Sequence, residues 1–417
     1  MQMRKYKHTP RSLRSDVRVV SRTLPRMSST DHSRDRLIAL DLARFVAMLL
    51  MMQGHVLDAL VSQIYIDVTV FPWSRWHALR GVTAPLFLMV SGVVHVFAAK
   101  RTADGHVRED ILQRRMRWAL TIIGVGYLMH FPANRLIDLP FIDAAAWPQF
   151  LSVNILHLTG AAMLILTVLL RRTTSVQHLG KVAALAAGAV LLVTPWASDL
   201  ANAWWMPMPL APYIGFTQWS MFPLAPFAAY LFLGVAVGSY LWSCTPERRT
   251  TMMAYGIPAL GAAVVAVEYF VNMAIWKSSF HTDFFGSPAS TTTFMSRVGV
   301  VLLVFGASYH LARWTRPLHH WYMMFGRRAL YIYVIHIVML WGTPWWDGIA
   351  RSRYRALTLE QGLGVMALIM CATLGIVWAI DAFMRSSASE QTKRRAKLAF
   401  YAVLVFLLAL GTPLAWF

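Results

Sequence analysis

The sequence is poor in charged residues, and this scarcity excludes most water-soluble folds. Only 14% of its 417 residues are Asp, Glu, Lys or Arg, whereas a soluble globular protein carries about 25%. Hydrophobic residues make up 57% of the chain. Apolar runs of the roughly 20 residues that a membrane-crossing helix needs recur along most of it. The sequence therefore predicts an all-α integral membrane protein, with the lipid bilayer as its main partner.

Cysteine and acidic residues are also scarce. The two cysteines are Cys244, in a short basic loop, and Cys371, in an apolar run. A disulfide framework and a cysteine-ligated metal site are not expected, and no metal is predicted. The 39 basic residues outnumber the 19 acidic ones, but they concentrate in short loops between apolar runs. Such loops are typical of the cytoplasmic face of a membrane protein, so the positive charge does not predict a nucleic-acid partner.

We expect a bundle of about eleven transmembrane helices. With the N-terminus cytoplasmic and the C-terminus outside, most basic loops fall on the inner side. Residues 1–35 are basic and lack the apolar core of a secretory signal, which favours a disordered cytoplasmic tail over a transit peptide or a wrongly assigned start. A single transmembrane domain then covers residues 36–417, and its short loops favour a bacterial inner membrane. The expected spans lie near residues 37–60, 78–99, 118–134, 149–170, 179–198, 221–241, 252–274, 294–312, 326–346, 360–383 and 397–417.

The first expected span carries polar residues on one helical face. Asp41 and Arg44 are three residues apart, so they can pair. His55 follows Arg44 by eleven residues, which is almost three whole turns, or about 16 Å along the axis. Asp58 lies one turn beyond His55 and is placed to orient its imidazole. Charges at membrane depth usually face a cavity or one another.

Two interpretations of this face remain open. Arg44 suits a phosphate-bearing cofactor that enters from the cytoplasm, and His55 suits general-base chemistry on an acceptor hydroxyl or amine at the other end. Alternatively, Asp41 and Arg44 form a structural ion pair, and His55 is an interfacial histidine with its hydrogen bonds satisfied.

The same span carries a family resemblance. Residues 36–44 read RLIALDLAR, and Arg44 is followed after ten residues by His55. This pattern resembles the opening R-x-x-x-L-D-x-x-R-G and the Arg-x10-His signature of the transmembrane acyltransferase superfamily. That superfamily includes the acyltransferase-3 enzymes and heparan-alpha-glucosaminide N-acetyltransferase. Phe45 stands where the family usually has glycine.

Four further segments resemble motifs of that superfamily in the expected order. Gly234 and Gly238 follow the third of them, and this spacing indicates a close contact between helices. The segments are APLFLMVSG at 84–92, NILHLTG at 154–160, FPLAPF at 222–227 and GRRALYIYVIH at 326–336.

The resemblance implies an acyltransferase. An acetyl or succinyl group would pass from a cytosolic acyl-CoA, most simply acetyl-CoA, to an extracytoplasmic glycan or lipid-linked sugar. His55 would act as general base or transient acyl carrier, and Arg44 would steady the donor. His77 competes with His55, because the heparan-acetylating branch places its active histidine in the first outer loop. A homodimer is one arrangement that the sequence allows.

Other polar residues of the spans complete the expected site. Tyr333 and His336 are one helical turn apart and can share a hydrogen-bond network, and His157 lies in the fourth span; packing roles remain the alternative for both histidines. A transporter or flippase using the same cavity is the alternative function, although no repeat between the two halves supports it. The expected catalytic residues are His55, Asp58, His77 and His336, and the expected donor-binding residues are Arg44, Asp41, Tyr333 and His157.

Overall fold

The computed structural model describes residues 29–277 and 290–411, and this part of the chain is almost entirely helical. A short β-hairpin pairs Gly342–Thr343 with Trp346–Asp347. The helices are α1 (Ser29–Leu60), α2 (Trp73–Arg80), α3 (Thr83–Phe97), α4 (Glu109–Met129), α5 (Ala146–Phe150), α6 (Ile155–Arg172), α7 (Val176–Ala201), α8 (Ala211–Ile214), α9 (Leu224–Ser243), α10 (Pro246–Thr251), α11 (Ile257–Lys277), α12 (Thr291–Trp314), α13 (His319–Arg327), α14 (Ala329–Trp341), α15 (Ile349–Arg353), α16 (Leu359–Arg385) and α17 (Glu390–Leu410).

Eight helical segments in the described residues are long and apolar enough to cross a membrane. They are α1 from Ile38, α2 with α3, α6, α7, α9, α10 with α11, α12 and α16. A segment that begins at Arg316 and includes α13, together with α14, would form a ninth span bent by 71°. The prediction of an all-α, multi-pass membrane protein is thus confirmed.

The count of eleven spans and the orientation of the termini stay predictions. Helices α4 and α17 coincide with two of the expected spans and have 21 residues each. Both carry a cluster of basic residues within their first nine residues, which lowers their apolar length below that of a full span. The expected last span ran to residue 417, and residues 412–417 lie outside the described part. So do residues 1–28 of the expected tail, while α1 already begins at Ser29.

Helix α1 lies at the centre of the bundle and positions the site. It contacts α3, α12, α13, α14 and α16, and its residues Leu40, Met52 and Leu60 are completely buried. Around it, α3 packs on α9, α9 on α7, α4 on α6, and α11 on α12. Polar residues on different faces of α1 are therefore directed toward different neighbours rather than toward lipid.

Glycines allow α3 and α9 to pack with their backbones in contact. A Cβ atom added at Gly234 would collide with the backbone of Met89, and one at Gly238 would lie 2.9 Å from Cα of Val93. Gly92 on α3 meets the backbone of α9 in the same way. The close helix contact indicated by the Gly234–Gly238 spacing is confirmed. This contact brings α3, which forms one wall of the cavity described below, against the rest of the bundle.

We expect Gly234→Ala to destabilise the protein by about 1–3 kcal/mol or more, because the added methyl group meets backbone that cannot move aside. Gly188→Ala on α7 is the matched control, since a Cβ atom there meets nothing within 4 Å. Thermal unfolding of the purified protein in detergent measures both. Equal stability of the two variants would contradict the close contact.

Candidate functional site

A cavity of about 450 Å³ opens inside the bundle between α1, α3, α4, α6 and the junction of α13 with α14. Its walls are mostly apolar, with Met48, Met51 and Phe87 among them. A small number of polar side chains interrupt this lining. They are Arg44, His55, Thr83, Ser91, His95, Thr159, Arg327, Arg328, Tyr331 and Tyr333.

One polar contact holds α1 beside α13, and a second holds it beside α14. Nη1 of Arg44 donates a hydrogen bond to the carbonyl oxygen of Gly326, at 3.2 Å. Further along both helices, Nδ1 of His55 lies 3.0 Å from Nε2 of His336. The two contacts are eleven positions apart on α1, from Arg44 to His55, and ten positions apart from Gly326 to His336. Both segments advance in the same order, so α14 runs in the same direction as α1. Arg44 and His55 therefore lie at opposite ends of the cavity, about 16 Å apart along the helix axis.

The hydrogen bonds of His336 determine the tautomer of His55. Nδ1 of His336 lies 2.7 Å from the carbonyl oxygen of Ile332, which can only accept, so this nitrogen carries the proton. Nε2 of a neutral His336 is then an acceptor, and it receives the Nδ1 proton of His55. The two rings are nearly parallel, with an interplanar angle of 11°. Nε2 of His55 is left with a free lone pair, and His55 lines the cavity whereas His336 is fully buried.

The opposite end of the cavity is positively charged. Nη1 of Arg44 lies 3.7 Å from Oδ1 of Asp41, and the two side chains are 11% and 14% exposed. No acceptor binds Nε of Arg44 among the residues that the structure describes. The bend between α13 and α14 falls at Arg328, and the first residues of α14 line the cavity. The N-terminal end of a helix carries a partial positive charge, which adds to that of the guanidinium groups.

Gly326 allows this approach of α13 to α1. A Cβ atom at Gly326 would lie 3.3 Å from Oδ1 of Asp41, which is tighter than an ordinary contact. A larger residue would push α13 away from α1 and lengthen the bond between Arg44 and the Gly326 carbonyl. The close approach of Asp41 thus explains why the GRRALYIYVIH segment begins with glycine.

Among the described residues, no hydrogen bond joins Asp58 or His77 to the imidazole of His55. The carboxylate of Asp58 accepts two hydrogen bonds from Arg80, at 2.9 and 2.5 Å, and Arg80 also stacks on Trp76. In the described residues the imidazole of His55 is hydrogen-bonded to His336 and not to Asp58. His77 is exposed on α2 and does not line the cavity.

Of the two other expected residues, one lines the cavity. The ring of Tyr333 lies in its wall and meets His336 edge-on, with centroids 5.6 Å apart. His157 is fully buried behind the wall. Its Nδ1 accepts the backbone N–H of Asn154, at 3.2 Å, as part of the cap of α6. The cap hydrogen bonds keep the His157 ring in place at the start of the helix.

His95 lines the cavity and was not among the expected site residues. Its Nδ1 donates to the carbonyl oxygen of Ser91, at 2.7 Å, one turn back on α3. Nη2 of Arg115 donates to the carbonyl oxygen of His95, at 3.1 Å. The sequence signal for His95 is its spacing from Ser91. The two polar residues are four apart in an otherwise apolar run, so they lie on one helical face.

The described residues contain no group of three or more His, Cys, Asp or Glu side chains placed to hold a metal ion. What they do contain is a largely apolar cavity with cations at one end and an unprotonated imidazole nitrogen at the other. Such a cavity can hold an elongated anionic molecule with its reactive end beside a base.

These features define the class as a polytopic helical membrane protein with an internal cavity that carries a polar group at each end. A family model described as the catalytic domain of heparan-alpha-glucosaminide N-acetyltransferase matches residues 36–267. The chain belongs to this family of membrane acetyltransferases, as the resemblance in the first span predicts. The match includes Arg44 and His55 and ends before α14. No curated protein matches the chain.

Arg44→Met is expected to cost more stability than the double variant Asp41→Asn, Arg44→Met. The single change leaves the carboxylate of Asp41 largely buried without its cation, which typically costs about 3–5 kcal/mol, whereas replacing both partners costs less. A thermal-unfolding comparison of the parent, both single variants and the double variant measures this coupling. Additive effects of the two single changes would show that Asp41 and Arg44 are not energetically coupled.

Proposed function

We propose that the protein is an acyltransferase that moves an acetyl or succinyl group from acyl-CoA to a glycan or lipid-linked sugar on the other side of the membrane. The observation that carries the proposal is the hydrogen-bonded pair of His55 and His336 at the far end of the cavity from Arg44. In this pair, Nε2 of His55 is free to accept a proton. Family membership supports the reaction class.

The pair suits general-base catalysis of acyl transfer. Nε2 of His55 takes the proton from the acceptor hydroxyl or amine as that group attacks the thioester carbonyl carbon. The carbon–sulfur bond breaks, and the proton on His55 passes to the departing CoA thiolate. Throughout, the Nδ1 proton of His55 remains bonded to Nε2 of His336, so the ring keeps its orientation. Transfer through a transient acyl group on Nε2 of His55 uses the same free nitrogen.

The length of the cavity supports a CoA thioester as donor. A donor held near Arg44 and reacting at His55 must extend about 16 Å, which suits the linear arm of a CoA thioester. Met48 and Met51 line the path on α1 between the two ends, and their flexible side chains adapt to an irregular ligand. Tyr333 is proposed to contact the donor from the opposite wall.

The acceptor is proposed to approach through a separate polar cleft of about 400 Å³, which Asp58, Asp67 and Arg355 line. Asp58 is three residues beyond His55, or about 4.5 Å further along the axis, so the cleft lies about one helical turn beyond His55 along α1. Hydrogen bonds from the hydroxyl and the backbone N–H of Thr69 hold the pKa of Asp67 below its usual range. A carboxylate that stays ionised is a strong acceptor for sugar hydroxyl or amino groups.

We expect His55→Ala to reduce acyl transfer by about 10²–10⁴-fold, which is the contribution of a positioned general base. Release of CoA from acetyl-CoA and a panel of longer acyl-CoAs by the purified protein measures it. The control is His178→Ala, because His178 is exposed at the start of α7 and does not line the cavity.

Two outcomes of that experiment would contradict the proposal. If His77→Ala abolishes turnover while His55→Ala retains it, the reaction belongs to the exposed histidine of α2. If the parent protein neither binds nor cleaves any acyl-CoA of the panel, the enzyme assignment fails. Transport of a small polar or lipid-linked substrate through the cavity is then the function to test.

His336→Leu is expected to lower kcat roughly 10²-fold while the KM for acyl-CoA changes little. His336 acts on His55 and not on the donor, and losing the residue that orients a catalytic histidine costs up to about 10⁴-fold in other enzymes. His336→Gln should recover part of the loss, since its amide oxygen can accept the Nδ1 proton of His55. A purely structural role would instead lower thermal stability and leave the kcat of the folded fraction unchanged in both variants.

A further inference from the structure

A second cavity of about 390 Å³ lies between α13 and α16, and three arginines line it: Arg327, Arg328 and Arg385. Arg327 and Arg328 also line the larger cavity that contains His55. The two cavities therefore share a wall at the bend between α13 and α14. The second cavity thus lies on the other side of Arg327 and Arg328 from the first.

The arginines are held in place but not neutralised. Asp381 is buried and pairs with both Arg328, at 3.0 Å, and Arg385, at 2.7 Å. Arg327 has no carboxylate within ion-pair distance among the described residues, and the nearby Asp41 already pairs with Arg44. Four guanidinium groups thus face two carboxylates around this wall, which leaves two positive charges in excess.

This arrangement fits phosphate groups better than a carboxylate or a neutral ligand. Guanidinium groups bind phosphate oxygens through paired, charge-assisted hydrogen bonds. The buried Asp381 holds two of them in fixed positions, so little conformational entropy is lost when a ligand binds. His320 lines the same cavity and offers a further donor.

We propose that this second cavity binds the phosphorylated nucleotide end of the acyl-CoA donor, with Arg327 contacting its 3′-phosphate. The assignment rests on the proposed function, because it takes CoA as the donor. On this proposal the larger cavity holds the thioester arm, and the bound donor extends past Arg327 and Arg328 into the second cavity. An anionic lipid headgroup has the same phosphate chemistry, so the experiment must separate the two sources.

The test compares CoA, 3′-dephospho-CoA and adenosine 3′,5′-bisphosphate by titration calorimetry on the full-length protein. The protein is placed in nanodiscs of phosphatidylcholine alone or with phosphatidylglycerol. The variant is Arg327→Gln, which breaks no ion pair of the described residues and should fold normally. Arg316→Gln is the control, since Arg316 is exposed just before α13 and does not line the second cavity.

In phosphatidylcholine, the parent protein and the Arg316→Gln control should bind CoA roughly tenfold or more tightly than 3′-dephospho-CoA, the range expected for hydrogen bonds to a charged group. Arg327→Gln should reduce this preference to near one. An unchanged preference in Arg327→Gln would overturn the assignment. The assignment would also be overturned if Arg327→Gln changed only the effect of phosphatidylglycerol on the protein. The ligand of the cavity would then be a lipid headgroup.

The bisphosphate distinguishes this proposal from the proposed function. It contains the nucleotide phosphates but neither the thioester nor its arm. If it binds in an Arg327-dependent manner while no acyl-CoA is turned over, the phosphate site stands and the enzyme assignment fails. If acyl transfer depends on His55 but neither bisphosphate binding nor the preference for CoA depends on Arg327, the enzyme assignment stands and this site is refuted.

Discussion

The hydrogen bond between His55 and His336 requires α1 and α14 to run side by side in one register. In that register, Arg44 also meets the carbonyl of Gly326. Apolar packing alone specifies such a register poorly inside a membrane, because lipid tails are as apolar as the side chains of the helices. Met48 and Met52 fill the interface between the two polar contacts. The cavity, its two ends and the direction of the free imidazole nitrogen all depend on this pairing.

The cost of polar groups at membrane depth explains how the remaining ones are arranged. Asp41 pairs with Arg44, and Asp381 pairs with Arg328, so both carboxylates near the junction of α13 and α14 have a cation. The arginines exceed the carboxylates at one end of the cavity, while the other end carries neutral rings. This asymmetry suits the proposed reaction, in which an anionic donor and an acceptor reach the cavity from opposite ends.

Several site features could be predicted because they depend only on helical periodicity. The separation of eleven positions between Arg44 and His55 places both on one face of α1, and both line the same cavity. Local spacing does not predict the partners that two other candidate residues have in the folded protein. Asp58 is one turn from His55, but Arg80 from α2 binds its carboxylate. His157 lies in a matching motif, but its Nδ1 accepts a backbone N–H at the start of α6.

The sequence by itself determined that the protein is a bundle of membrane-crossing helices, that Arg44 and His55 share a face, and that the chain resembles membrane acyltransferases. These properties follow from apolar length, helical period and local motifs, which are encoded over a few tens of residues. Only the tertiary structure decided that His336 orients His55, that His95 joins the cavity, and that Arg327 and Arg328 separate two cavities. The physical reason is separation along the chain: His55 and His336 are 281 residues apart, and no local pattern specifies which distant helix packs against α1.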